Sequence, residues 1–267
     1  MTSSAPSLQR PADAGRLTAT GLVLAAAVLA AWLALHLYGV FLFEWHSPVA
    51  LLAPLLVALQ CWLCVGLFIV AHDAMHGSLA PGRPALNRRV GQLCLLLYAG
   101  FRYDALLPKH QAHHRAPGTG EDPDFAPDHP RRFWPWFARF AATYFGWREL
   151  AFMSALGSAY LLLGARPLNL LVFWAVPAWL SALQLFLFGT YLPHRHGEGP
   201  PAGGDHDGFA DRHRARSNAY PVILSLLSCF HFGYHLEHHR RPGAPWWRLP
   251  AVRRELLAET ASRKSET

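Results

Sequence analysis

Four stretches of the chain are almost free of polar charge. Residues 21–43 hold no Asp, Glu, Lys or Arg, with His36 the one side chain there that could carry a positive charge, and residues 48–71 hold no Asp, Glu, Lys or Arg. Residues 150–165 and 168–193 form a second pair, parted only by Arg166 and Pro167. A helix needs about 20 apolar residues to cross the hydrocarbon core. Three runs meet that length, and the third must borrow Trp147 and its neighbours. The pattern predicts an all-α, polytopic integral membrane protein read as a single domain, 1–267. Its four spans fall at about 20–43, 48–71, 148–165 and 168–193. The first run is too long for a removed signal peptide and lacks a small-residue cleavage site.

The connections inside each pair are short, residues 44–47 and 166–167, so each pair is expected to be a transmembrane helical hairpin. Both termini then lie on one side. Of the 24 Lys and Arg, only Arg166 falls in a hairpin turn. Cytoplasmic segments carry the excess of Lys and Arg. The reading is therefore a multi-pass membrane protein with cytoplasmic termini and a cytoplasmic histidine-rich helical cap, residues 72–147 and 194–267.

Composition changes this picture little. Charged residues are 15% and hydrophobic ones 52%, with a formal net charge of +7. That positive charge flanks membrane segments, which argues for a lipid surface and against nucleic acid. Residues 90–100 and 220–230 are half-spans, read as interfacial or re-entrant. Trp134, Trp136, Trp147, Trp246 and Trp247 suit the headgroup belt. The first 16 residues and residues 197–208 read as loops. Cys61 and Cys64 form a CxxC in the middle of an apolar run, where small buried hydrophobes are expected rather than a redox pair.

The chemistry lies in the histidines, 16 of them against two lysines, Lys109 and Lys264. FHFGYHLEHH carries His231, His235, His238 and His239; on one helix these share a single stripe. AHDAMHGS carries His72 and His76, KHQAHHR carries His110, His113 and His114, and FGTYLPHRHG carries His194 and His196. Neutral imidazole offers one lone pair and is the commonest protein metal ligand. The predicted topology brings all four clusters to one membrane face. His206 and His213 lie in a loop and are not expected to bind metal; His36 is expected to be a packed histidine. No cysteine joins the clusters, which excludes a thiolate site. Four ligands complete a structural zinc site, so this many imidazoles suffice for two metals. Imidazole suits iron as well as zinc and copper.

HDAMH, HQAHH and HLEHH resemble the three histidine boxes of the integral-membrane fatty-acid desaturase and hydroxylase superfamily. AHDAMHGSL, HHRAPGTGEDPDF, YLPHRHG, FADRHRARS, CFHFGYHLEHH and PWWRLP further resemble the bacterial β-carotene ketolases, over most of the chain. The resemblance implies that His72, His76, His110, His113, His114, His194, His235, His238 and His239 hold two iron ions. His231, where many relatives have Asn, is left as a tenth ligand or a neighbour of the ligands. His213 gains interest through FADRHRARS. The resemblance also implies a di-iron centre that activates O2 and oxidises the allylic ring methylene of a carotenoid to a ketone.

Carboxylates beside the boxes, Asp73, Asp122, Asp124 and Glu237, are candidates for holding the imidazole tautomers. Asp122 and Asp124 could equally cap a turn in GEDPD. Tyr191, Tyr234 and Asp73 are candidate partners for an alcohol intermediate, the tyrosines equally interfacial anchors. GTGEDP and GEGPPA follow no strand and lack a third glycine, so no nucleotide fold is expected. Electrons are then expected from a separate reduced ferredoxin-type donor, an acidic partner for a basic face. A carotenoid hydroxylase or a fatty-acid desaturase or hydroxylase would share the scaffold. A membrane zinc protease is remote: HDAMH has Asp where the general base of HExxH is Glu. A non-catalytic metal or haem carrier would place ligands midway along the spans.

Overall fold

The computed structural model describes residues 11–46, 48–197, 208–209 and 211–265, and those residues form helices, turns and loops with no strand among them. Helix α1 (Pro11–Leu37) runs into a π-turn (Tyr38–Leu42), and α2 (Ala53–Met75) follows a short 3-10 turn at Pro48–Leu52. Then come α3 (Pro84–Ala99), α4 (Tyr103–Arg115), α5 (Phe133–Tyr144) and α6 (Trp147–Leu162). Helix α1 starts at Pro11, so the N-terminal loop read from the sequence is helical from there on. Proline at the first helical position costs no hydrogen bond.

Residues 167–194 make one long rod of three α-helical pieces, α7 (Pro167–Leu170), α8 (Val176–Phe186) and α9 (Leu192–His194). Two π-turns, Leu171–Ala175 and Leu187–Tyr191, join the pieces. Each π-turn ends two residues before a proline, Pro177 or Pro193. Proline lacks an N–H and clashes with the carbonyl four residues back, so the helix widens by a residue there. The wider second turn presents Gly189 and Thr190 inward. A Cβ on Gly189 would stand 2.5 Å from Cε1 of Phe232, so only glycine allows that approach.

Among the described residues, three helical stretches are long and apolar enough to cross a membrane: Asp13–Leu42, Pro48–Met75 and Pro167–His194. Helix α6 has 16 residues, about 24 Å at 1.5 Å per residue, against a hydrocarbon core of about 30 Å. None of its residues is fully buried. Length therefore separates α6 from the other three apolar runs. Helix α2 is the axis of the bundle, with Leu63, Val65, Leu67, Ile69 and Ala71 fully enclosed by α1, α3 and α8. The two half-spans are α3 and α10 (Val222–Cys229), both packed on α2. The chain closes with α11 (His235–Arg240) and α12 (Leu249–Ser265).

The two short connections meet at one end of the bundle. Trp45 Nε1 donates to Asn169 Oδ1 at 2.7 Å, and Asn169 Nδ2 donates to the Phe43 carbonyl at 3.0 Å. Phe43 packs on Phe173 with ring centroids 4.5 Å apart. From this junction α2 and the 167–194 rod run side by side to the opposite end, where His72, His76 and His194 sit. Trp136 is wholly buried rather than in a headgroup belt, and its Nε1 donates to the Asp124 carbonyl at 2.6 Å. Cys61 and Cys64 are buried free thiols, as expected of small core residues. In the last turn of α1, His36 stacks on Trp32 at 4.7 Å and shares a 3.1 Å hydrogen bond with Tyr160, a packed histidine as read.

Asn169 is 1% exposed, and its amide ties both connections together. Asn169→Ala should lower stability by about 2 kcal/mol, because the Trp45 donor and the Phe43 carbonyl lose their buried partner. Thermal unfolding in detergent, followed by tryptophan fluorescence, checks this.

Candidate metal centre

The nine histidines of the boxes fall into two groups, each with its ligand nitrogens within 4.8 Å of one another. His72 and His76 from α2, His110 and His114 from α4, and His238 from α11 form the first. His113 from α4, His194 from α9, and His235 and His239 from α11 form the second. Helical spacing explains the division. On α4 the i, i+4 pair 110 and 114 shares one face, and His113, turned about 100° from His114, takes the other. On α11 the pair 235 and 239 belongs to the second group and His238 to the first. The two helices are thus used in opposite phase, and each serves both groups.

Within the first group, Nε2 of His110 lies 2.6 Å from Nε2 of His76, and Nε2 of His238 lies 3.0 Å from Nε2 of His114. Within the second, Nε2 of His239 lies 3.2 Å from that of His113 and 3.0 Å from that of His235. Imidazole nitrogens bound to one ion at about 2.1 Å and at right angles stand about 3 Å apart. Nε2 of His72 and of His194 is buried with no hydrogen-bond partner. Converging ring nitrogens at this spacing, with the buried Nε2 of His72 and His194 left without a partner, fit a cation in each group.

The outer ring nitrogens are held where they can be. His113 Nδ1 donates to both Asp122 oxygens, at 3.0 and 3.1 Å. His194 Nδ1 donates to the Arg214 carbonyl at 2.7 Å. Each bond fixes the tautomer so that Nε2 keeps its lone pair for the group. Asp122 also accepts from the Gly118 N–H at 2.8 Å and the Asp124 N–H at 2.9 Å. The two sequence readings of this aspartate, histidine holder and turn cap, are therefore one arrangement. Burial opposes a charge on His113, but Asp122 and then Asp124 outweigh it and push the group up to about 9, so an ion bound there would displace its Nε2 proton.

The other candidates land elsewhere. Asp73 accepts the Trp246 N–H at 3.0 Å, tying a C-terminal loop to α2; its carboxylate is 3.7 Å from His72 Nδ1. Glu237 takes Arg253 at 2.6 Å and the Ser217 hydroxyl, so it braces α11 against its surroundings. Tyr191 donates to the Arg131 carbonyl at 2.7 Å, and Tyr234 to the Tyr220 carbonyl at 2.7 Å. His196 bonds the Gly118 carbonyl at 3.2 Å and stacks on Phe125. His213 lies beside His239, ring centroids 6.3 Å apart, outside both groups. Its segment still serves the centre: Arg214 supplies the carbonyl for His194, and Asp211 pairs with Arg240 of α11 at 2.6 Å. His206 lies outside the described residues.

His231 corrects the single-stripe reading. The chain leaves α10 through a left-handed turn, with φ of 48° at Phe230 and 63° at His231. The His231 N–H closes that turn on the Ser225 carbonyl at 2.9 Å, a helix-ending pattern that usually employs glycine. Phe230 replaces it because its ring stacks on Trp62 at 4.2 Å. Helix α11 starts only at His235, so His231 stacks near Tyr234 and Trp246 and belongs to neither group.

A cavity of about 420 Å³ reaches the two groups. His72 and His110 of the first and His113 and His235 of the second line its inner end. Its walls are otherwise mostly aromatic and aliphatic, among them Phe68, Phe140, Phe232, Trp179 and Leu185. Four polar residues besides the histidines reach it: Tyr98, Asp124, Tyr144 and Thr190. Neither Tyr191, Tyr234 nor Asp73 does. Tyr144 had no signal in the sequence, since it lies far from every box and comes to Asp124 only through the return of α5.

Comparison with known proteins bears on these features together. The family described as "Fatty acid desaturase" matches residues 45–153 and 138–265. A Beta-carotene ketolase of Paracoccus sp. (strain N81106 / MBIC 01143) is 51% identical over 240 residues, covering 89% of this chain and 93% of that protein. Another Beta-carotene ketolase, of Paracoccus sp. (strain PC1), is 50% identical over 239 residues, 89% of this chain and 93% of its own. A Zeaxanthin 4-ketolase of Chlamydomonas reinhardtii is 37% identical over 243 residues, 87% of this chain and 53% of its own. The chain belongs to the fatty acid desaturase family. It is an oxidoreductase, and its resemblance to bacterial β-carotene ketolases extends over most of its length.

Burial first, and neighbouring imidazoles second, hold His110, His235, His238 and His239 well below the ordinary imidazole range. A depressed imidazole favours the neutral form in the folded state, so its stabilising effect is present above the unfolded value of about 6.5 and is lost as pH falls. The thermal midpoint should therefore drop between pH 7 and pH 5, as scanning calorimetry at stepped pH would show.

Proposed function

We propose that the protein is a β-carotene ketolase that oxidises the allylic ring methylene of a β-ring carotenoid to a ketone. The observation that carries the reading is the cavity: an apolar space whose inner end is lined by histidines of both groups. Identity of about half over most of the chain with proteins named for this activity supports it. Two iron ions would be held by His72, His76, His110, His114 and His238, and by His113, His194, His235 and His239. Bound there, the iron pair supplies the activation of O2. Oxidising a methylene to a ketone takes two O2, four electrons and four protons, and releases three waters. The second hydroxyl makes a geminal diol, which loses one of those waters.

The chain's own residues do the rest. Asp122 and the Arg214 carbonyl orient two of the imidazoles. Phe68, Phe140, Phe232 and Leu185 exclude water and receive a hydrocarbon ring, at a favourable transfer energy of about 25 cal/mol per Å² buried. The apolar helices give the substrate a route from the bilayer. The family resemblance and the charge pattern favour four spans in the bacterial inner membrane, α6 being the short one, with termini and histidines cytoplasmic. Electrons come from a separate ferredoxin-type donor.

Two alternatives are weaker. A hydroxylase or desaturase would use the same scaffold, but the relatives in hand are named ketolases. A zinc protease would employ one group and leave the other without a purpose.

The purified protein should hold two iron ions, and His113→Ala and His238→Ala should each reduce turnover at least a hundredfold, since each removes a ligand from a different group. Metal analysis beside product assay tests both; near-normal product from either variant would remove that histidine from the ligand set. In a carotene-producing bacterial host the pigment should shift to the monoketone and the diketone. Ring alcohols alone would assign a hydroxylase, and altered fatty acids with carotene untouched would remove the carotenoid from the reading.

A further inference from the structure

A ketolase must oxidise one carbon twice, so its alcohol intermediate has to stay, or return, with that carbon facing the metal. Burying a hydroxyl without a partner is unfavourable, so retention calls for a hydrogen-bonding group in the cavity wall. The polar residues that line the cavity beside the histidines differ in how free they are. The Tyr98 hydroxyl already meets Ser181 Oγ at 3.2 Å, on the side of α8. Thr190 lies in the π-turn of the 167–194 rod. Asp124 stands apart: it lies at the histidine end, between the cavity and the second group.

The Asp124 carboxylate is built in from one side and open on the other. Its Oδ1 accepts the Tyr144 hydroxyl. Its backbone carbonyl accepts Trp136 Nε1 and its N–H bonds Asp122, which fix the residue from behind. Lys109 Nζ lies 4.8 Å from the Tyr144 ring centroid and holds that side of α5. Oδ2 has no hydrogen bond among the described residues; it stands 3.7 Å from His113 Nδ1, whose proton goes to Asp122. Asp124 and Tyr144 both line the cavity, in company with His113 and His235.

We propose that Asp124 Oδ2 accepts the hydroxyl of the ring-alcohol intermediate, with Tyr144 as the positioning residue that holds the carboxylate toward the cavity, and that this pair commits the enzyme to ketone rather than alcohol. The inference rests on the ketolase reading and adds to it a residue basis for the second oxidation. The alcohol hydrogen bonds to a fixed carboxylate, and the carbon that bears it stays beside the histidines. The unoxidised ring has no hydroxyl and takes nothing from the pair.

That asymmetry defines the test. Wild type, Tyr144→Phe and Asp124→Asn are assayed with β-carotene and, separately, with the ring alcohol as substrate, in membranes supplied with O2 and reductant. Iron content is measured on each protein. Tyr144→Phe should raise KM for the alcohol roughly fivefold more than it raises KM for β-carotene, and raise the ratio of alcohol to ketone at partial conversion by a similar factor, the effect of one hydrogen bond. Asp124→Asn should shift both further in the same direction. Equal effects on both substrates, or an unchanged product ratio with iron retained, would overturn the proposal. So would loss of iron from Tyr144→Phe, because the pair would then support the metal and not the substrate. A wild type that makes no ketone from either substrate would instead reject the ketolase reading itself.

Discussion

Nine imidazoles with their lone pairs turned toward two points are the constraint around which this chain is organised. Where neither nitrogen of a pair carries a proton, lone pairs 2.6–3.2 Å apart repel unless a positive charge lies between them. Before any ion binds, that repulsion and the burial of so many polar rings must be offset by packing elsewhere. The offset is the apolar core around α2, and above all the lower half of the bundle. Asn169 and the aromatic rings about Phe43 lock the far end, so that α2 and the 167–194 rod arrive at the histidine end already aligned. The helices that carry ligands are then supported from outside by ordinary bonds: Arg253 on Glu237, Arg240 on Asp211, the Trp246 N–H on Asp73. These residues touch no lone pair, yet each removes a freedom that would let an imidazole turn away.

Much of this was legible along the chain because it is periodic. The apolar runs stand out, and i, i+3, i+4 spacing puts histidines on helix faces. What periodicity cannot say is which of two adjacent faces meets which partner. That His113 and His114 part company, as do His238 and His239, follows from the crossing of α4 and α11, a matter of three dimensions. The stripe drawn from His231 failed for a local reason. A helix is assumed until something stops it, and the stop here is a left-handed Phe230 that carries no glycine to announce it. Its stacking on Trp62, distant in sequence, supports the strained backbone. Tyr191 and Tyr234 were reasonable candidates by nearness to a box, but nearness along a helix puts a side chain on the wrong face as often as on the right one.

Helix α6 shows the limit of composition as a guide. Its sequence is apolar enough to pair with residues 168–193, yet it is about 6 Å short of the hydrocarbon thickness and buries no residue fully. A short helix with an exposed surface, next to a cavity whose wall includes its Met153, leaves that side of the bundle thin.

The opposite phasing of α4 and α11 has a mechanical result. Neither helix belongs to one group, so a shift of either helix reaches both groups. A small rotation of α11 that drew His238 inward would swing His235 and His239 outward by the same angle. The two positions behave like the pans of a balance hung from a common beam. A displacement of α4 or α11 felt at one of them is felt at the other.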